Sequence, residues 1–339
     1  MPKMQILKLA LHCAAVGGAF AALLQVGDAF GQGGGLTSQI PPGIARVITL
    51  GTRGGPTPSK ARAQSSNLLI VNGEYYLIDA GDGVLRQLVQ SGTDFRRVGK
   101  IFITHDHDDH TGGLATLISV GWDLLRRQPI DIYGPPGTAA LVEGTLQYLR
   151  INAEIRWAEG RRAPLTDVVV GHEIEPGLVY QDANVKVTAV ENTHFHIPAG
   201  TPYAGKYKSY SYRFDTPGRV VVFTGDTGPS DKVAELAQNA DILVSEVGSA
   251  DDVKQLLIKN GTWQNMSAEQ QTDVMRHLTE EHLTTAEVGK LAARAKAGKV
   301  VLTHLLPSVN DNDDYARFIP EVRQFFSGDV VIAKDLMEF

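Results

Sequence analysis

Four side chains that bind transition metals crowd into one short run, Thr104-His-Asp-His-Asp-Asp-His-Thr-Gly-Gly113: His105, His107, Asp109 and His110. Imidazole combined with carboxylate suits zinc, iron or manganese. The alternating spacing lets His105 and His107 point one way while Asp109 and His110 serve a second ion. The chain has 10 His in all, so three within this run are more than a solvated turn after a strand would carry. Further residues of the same kind follow apolar runs elsewhere. The run 185–190 leads to His194, with His196 close by; 220–225 leads to Asp226; and 300–303 leads to His304. Taken singly, His304 reads as a core histidine and Asp226 as a turn residue. Together with the cluster they read as one site, because strands fixed in a sheet hold distant ligands with little freedom.

Those ligands need a frame, and the pattern supplies one. Residues 45–50 read as a strand, followed by a glycine-rich opening, Leu50-Gly-Thr-Arg-Gly-Gly-Pro56. Runs 67–71 and 74–79 flank Asn72-Gly73, a strong hairpin signal. Strands follow at 100–104 and at 130–133, the latter closed by Gly134-Pro-Pro-Gly137, with helices at 84–91, 114–127 and 138–149. The second half repeats the style. It has strands at 185–190, 241–247 and 299–303, a hairpin of 209–215 with 219–224, and helices at 231–238, 268–277, 285–296 and 314–325. Thr284 with Glu287 is a capping-box pattern for the third of these helices. Hairpin-paired strands with helices in each half imply two mixed sheets, face to face, covered by helices.

Composition sets bounds. The 339 residues are 43% hydrophobic and 21% charged with net charge −6, ordinary for a globular chain. No Lys/Arg run stands out, which argues against a dedicated nucleic-acid binder. Lys3 and Lys8 precede an apolar stretch, 9–26, and small residues at Gly27, Ala29 and Gly31. This reads as a signal peptide over 1–31, a flexible segment over 32–44 and one domain with two halves over 45–339. An uncleaved anchor is the rival reading; His12 and Gln25 interrupt the stretch and favour cleavage, leaving no stable membrane span. Cys13 is the sole cysteine, so the mature chain has no disulfide and no thiolate ligand, as fits a periplasmic or secreted protein.

The run from His105 to His110, His-x-His-x-Asp-His, resembles the metallo-β-lactamase-fold hydrolase superfamily. Ile78-Asp-Ala-Gly81, Phe223-Thr-Gly-Asp-Thr227 and Leu302-Thr-His-Leu305 are similar to its other conserved turns. The resemblance implies a four-layer αββα sandwich of two mixed β-sheets flanked by helices. It implies two Zn2+, with Fe or Mn compatible. One would be held by His105, His107 and His194, the other by Asp109, His110 and His304, with Asp226 bridging and Asp79 in support. It also implies attack by metal-bound hydroxide on an ester-like centre, with Asp109 part of the catalytic set.

Asp226 resembles the phosphodiesterase, sulfatase and glyoxalase-like branches rather than true β-lactamases. The glycine-rich opening and Glu281-His-Leu-Thr-Thr-Ala-Glu287 resemble the ribonuclease Z and arylsulfatase-like branch. There His282 would contact the anionic group and protonate the leaving oxygen. Gly134-Pro-Pro-Gly137 and the stretch from His304 to Pro307 look closest to the exported arylsulfatase-like members. The resulting expectation is an exported dinuclear hydrolase of small anionic sulfate or phosphodiester esters. Nucleic acid is disfavoured for lack of a glycine-rich basic arm, and a homodimer is compatible with the branch. Three alternatives stay open: a lactonase or β-lactamase-type hydrolase, a ribonuclease Z-like nuclease, and a non-catalytic binding protein. Residues 203–213, with Lys206, Lys208, Arg213 and several Tyr, read either as the substrate mouth or as a solvated hairpin.

Overall fold

A computed structural model describes residues 45–126, 128–160, 163–307 and 315–339; the expected signal peptide and the segment 32–44 lie outside them. In the first half the strands are β1 (Arg46–Gly51), β2 (Ser66–Val71), β3 (Glu74–Ile78), β4 (Lys100–Phe102), β5 (Ile130–Gly134) and β6 (Val169–Glu173). Then come β7 (Gly177–Gln181), β8 (Lys186–Glu191), β9 (Tyr210–Asp215), β10 (Val220–Phe223), β11 (Ile242–Gly248), β12 (Lys299–Leu306), β13 (Asp329–Ile332) and β14 (Met337–Glu338). They form two seven-stranded sheets, ordered β14-β1-β2-β3-β4-β5-β6 and β13-β12-β11-β10-β9-β8-β7. Each sheet is antiparallel on one side and parallel on the other.

Local chemistry explains the joints. Asn72 at φ 51° and Gly73 at φ 81° occupy the left-handed region that a two-residue hairpin turn requires, and β2 and β3 pair with Val71 opposite Glu74. Strand periodicity then sorts side chains to two faces. In β10, Val221 and Phe223 enter the core between the sheets, while Val222 packs outward under helices. In β2, Leu69 and Val71 face the other sheet and Leu68 faces outward. Helices Val84–Gln90, Leu114–Asp123 and Thr138–Ala158 cover the first sheet, and Asp231–Leu236, Thr285–Ala295 and Phe318–Arg323 cover the second. The expected four-layer sandwich is therefore the fold. Phe102 is the hub between the sheets, with ring centroids 5.2 Å from Tyr133 and Phe214 and 5.8 Å from Tyr212. Among the described residues no helix is long and apolar enough to cross a membrane.

Some boundaries differ from expectation for physical reasons. The helix expected over 138–149 continues to Ala158. Its apolar period fades there, but an Arg150–Glu154 pair at 2.9 Å supports the extra turns. The helix expected over 114–127 stops at Asp123, and Leu125 turns to φ 57°. Thr284 accepts from the Glu287 N–H as an N-cap, but the reciprocal capping box lies at Ser267 and Gln270 instead.

Asp182 ties the turn between β7 and β8. It accepts from the Tyr76 hydroxyl at 2.7 Å, the Tyr180 hydroxyl at 2.9 Å and the N–H groups of Asn184 and Val185. Burial alone would raise its pKa, but these donors hold it below the usual carboxylate range. Folding therefore favours the ionised form, and Asp182 contributes stability above its unfolded pKa that is lost as pH falls through the depressed one. The melting-temperature gap between wild type and Asp182→Asn is expected to be widest near neutrality and to close in acid. Thermal melts across that range check this, and a gap that widened in acid would contradict it.

Candidate metal centre

β4 runs on through Ile103 and Thr104 into His105, and Asp79 fixes this junction. Asp79 leaves β3 at φ 60°. Its N–H donates to the Phe102 carbonyl at 2.9 Å, and its carboxylate accepts from the Thr104 N–H at 2.8 Å and faces His110 Nδ1 at 2.8 Å. A carboxylate on Nδ1 fixes the proton there and leaves Nε2 of His110 pointing into the site.

Two ligand groups result. In the first, His107 Nδ1 lies 3.0 Å from His105 Nε2 and 3.2 Å from His194 Nε2. His194 Nδ1 donates to the Glu281 carbonyl at 2.9 Å, so its Nε2 carries a lone pair. In the second group, Asp109, His110, Asp226 and His304 converge. His304 Nε2 is 3.2 Å from Asp109 Oδ2 and 3.1 Å from Asp226 Oδ2, and His110 Nε2 is 3.4 Å from Asp226 Oδ1. Asp226 also reaches the first group, with Oδ2 at 3.9 Å from His194 and 4.0 Å from His105. His196 stands apart, half exposed beside Glu281 at 3.7 Å.

His304 owes its direction to a bulge. β11 and β12 pair Glu246 with Thr303 but Val247 with Leu305, so His304 is the extra residue, and its φ of 44° is left-handed. Such a conformation costs about 1–2 kcal/mol and is typically kept where a side chain must be re-aimed. Gly54 makes room behind it: a Cβ there would lie 2.8 Å from His304 Nδ1. This gives the glycine-rich opening a steric reason.

The buried carboxylates favour positive charge in the second group. Burial alone would raise Asp226, but His304 and His110 outweigh it and hold the carboxyl well below the usual range. Burial opposes charge on His110, yet Asp226, Asp79 and Asp109 raise it well above the ordinary imidazole value. In the first group burial dominates. It pushes His194 down to about 3 and His105 well below 6.5, so these imidazoles are neutral donors. His110 Nε2 and Asp226 Oδ1 are buried with no hydrogen-bond partner among the described residues. Converging lone pairs beside a buried carboxylate fit a divalent metal.

His282 sits behind this centre. Its Nδ1 lies 2.6 Å from Glu246 Oε2 and 4.0 Å from Asp226, and its Nε2 faces His277 Nε2 at 3.3 Å. Burial pushes His282 down to about 4 and, with Asp226, raises Glu246 well above its usual value. Glu246, His282, Asp226 and His304 could also group around an ion, but Glu246 and His282 already satisfy one another. Sequence reasoning missed Glu246 and His277. An acid inside the wholly buried run of β11 was the available signal for the first; nothing marked His277 beyond its place on a helix.

Residues 74–305 match the model of the β-lactamase superfamily domain. The chain is 28% identical over 335 residues to Ribonuclease Z of Methanosarcina mazei, covering 87% of this chain and 97% of that one. It is 30% identical over 296 residues to Ribonuclease Z of Mycolicibacterium paratuberculosis, covering 86% and 97%. The metallo-β-lactamase-fold protein YhfI from Bacillus subtilis superposes with TM-score 0.62 at 21% identity, covering 87% and 98%. Human tRNase Z, short form, does so with TM-score 0.60 at 24% identity, covering 87% and 98%.

These relatives correct two expectations. The arylsulfatase-like hydrolase of small anionic esters gives way to the ribonuclease Z-like alternative, and nucleic acid is no longer disfavoured as a partner. The reasoning from charge failed because net charge and Lys/Arg runs are averages along the chain, whereas a substrate meets a local surface. The missing basic arm was likewise an argument from absence.

Proposed function

The chain belongs to the β-lactamase superfamily, and from that premise we propose that it is a metal-dependent ribonuclease of the Ribonuclease Z type. It would hydrolyse phosphodiester bonds in RNA. The observation that carries this reading is similarity to ribonucleases over 86% of this chain, together with two candidate ligand groups joined by Asp226. His105, His107 and His194 would hold one divalent ion, Asp109, His110 and His304 the other, and Asp226 would touch both. The nitrogen and oxygen donors suit zinc. Such a pair of ions supplies activated water and stabilises charge on the phosphoryl oxygens.

The remaining work falls to the protein. Glu246 holds Nδ1 of His282 and so fixes the tautomer; Nε2, which faces His277 Nε2 at 3.3 Å, would exchange that contact to carry a proton to the departing ribose oxygen. Phosphate charge near the site would raise the imidazole's proton affinity from its buried, depressed value. His107, the exposed ligand candidate, lies at the solvent side of the centre, whereas His105, His110, His194 and His304 are buried.

The test is a substrate panel with metal-loaded protein: an end-labelled structured RNA with unpaired flanks, an aryl sulfate, a lactone and a β-lactam. RNA cleavage without sulfate, lactone or β-lactam turnover is the expected result. Turnover of one of those three with RNA left intact would overturn the reading.

A further inference from the structure

Resting on the ribonuclease reading, we propose that the loop 195–208 is a stacking platform for unpaired nucleotides beside the scissile phosphate, with Tyr203 and Tyr207 as its rings. Both ends of this loop are fixed at the metal centre. It leaves directly from His194. It returns where the Ser209 carbonyl accepts from the Asn192 N–H at 2.9 Å and the Tyr210 N–H donates to Thr104, one residue before His105, at 2.8 Å. Turns order the path between, with Ala204 N–H donating to Thr201 and Lys206 N–H to Tyr203.

The loop carries aromatic rings outward from the centre. Phe195, partly buried, has its ring centroid 5.2 Å from His107. Further out, Tyr203 and Tyr207 stack with centroids 6.3 Å apart at 27°, yet they remain 54% and 37% exposed. Tyr207 stands close to the His cluster: a Cβ on Gly137 would lie 3.6 Å from its ring and 2.5 Å from Asp106. Lys206 Nζ sits 5.0 Å above the Tyr207 ring, adding positive charge on the same surface.

Packing against one another leaves both rings partly open to solvent beside the centre. An unpaired nucleotide fits, since every base has a π-face for a tyrosine and a phosphate for the lysine. The surface offers ring faces and the Lys206 charge, Lys208 being paired with Glu175 at 3.0 Å, so it would accept any base.

The experiment compares wild type, Tyr203→Ala/Tyr207→Ala and Tyr207→Phe on two end-labelled RNAs, one natural and one with abasic sites at the positions flanking the cut. In the double variant KM for natural RNA should rise about tenfold or more, with the loss falling on KM rather than kcat. Tyr207→Phe should stay near wild type, because the ring remains. On the abasic RNA the gap between wild type and the double variant should close. An unchanged KM on natural RNA, or the same KM gap on both RNAs, overturns the platform while the ribonuclease reading stands. Wild type that leaves both RNAs uncut overturns the ribonuclease reading, and the platform falls with it.

Discussion

Asp226→Ala is expected to lower RNA hydrolysis by about 10³-fold, roughly 4 kcal/mol of transition-state stabilisation. The reason is position. Asp226 is buried, and its two oxygens reach His110 and His304 at 3.4 and 3.1 Å and His194 and His105 at 3.9 and 4.0 Å. Asp109 is turned to His304 and His110, and Glu246 is engaged with His282, so neither stands between the two groups as Asp226 does. Bound metal should fall in parallel, measured by elemental analysis. Asp226→Asn keeps the shape, loses the charge, and should show a similar loss. A folded Asp226→Ala protein with full metal content and full turnover would refute the joining role.

His282→Ala is the second large effect, about 10²-fold or more on kcat for RNA. The argument concerns the leaving group. A ribose alkoxide leaves poorly without a proton, whereas a p-nitrophenolate needs none. The variant should therefore lose about 10²-fold on RNA but far less on a p-nitrophenyl phosphodiester. Glu246→Gln should reproduce the pattern in weaker form, because an amide changes the donor and acceptor character of the 2.6 Å contact that orients His282 Nδ1. Equal losses on both substrates would instead assign His282 a structural part.

What the sequence made legible follows the physics of each feature. Strands inside a sheet announce themselves as apolar runs, as β1, β4, β5, β8, β11 and β12 do, and the arms β2–β3 and β9–β10 also by the turns between them. The strands not foreseen are β6, β7, β13 and β14, and these are the four sheet edges. An edge strand is solvated along one side and interrupted by polar residues, as in Gly171-His172 of β6 and the half-exposed β7. At the site, the cluster from His105 to His110 was local and therefore visible. The bulge that turns His304 inward depends on pairing between β11 and β12, which no single strand displays. The Glu246–His282 contact joins positions 36 apart, so only its oddity, an acid in an apolar strand, was available. The substrate was least legible, because it depends on surfaces assembled from loops such as 195–208.

The most direct test of the central claim is RNA cleavage followed through removal and return of metal. Wild-type protein would be stripped with a chelator, dialysed and titrated with zinc while metal content and end-labelled RNA products are measured together. Cleavage should vanish on stripping and return as bound zinc approaches about two per chain. Cleavage that survives complete metal removal, or RNA left intact by protein holding its full metal complement, would contradict the account.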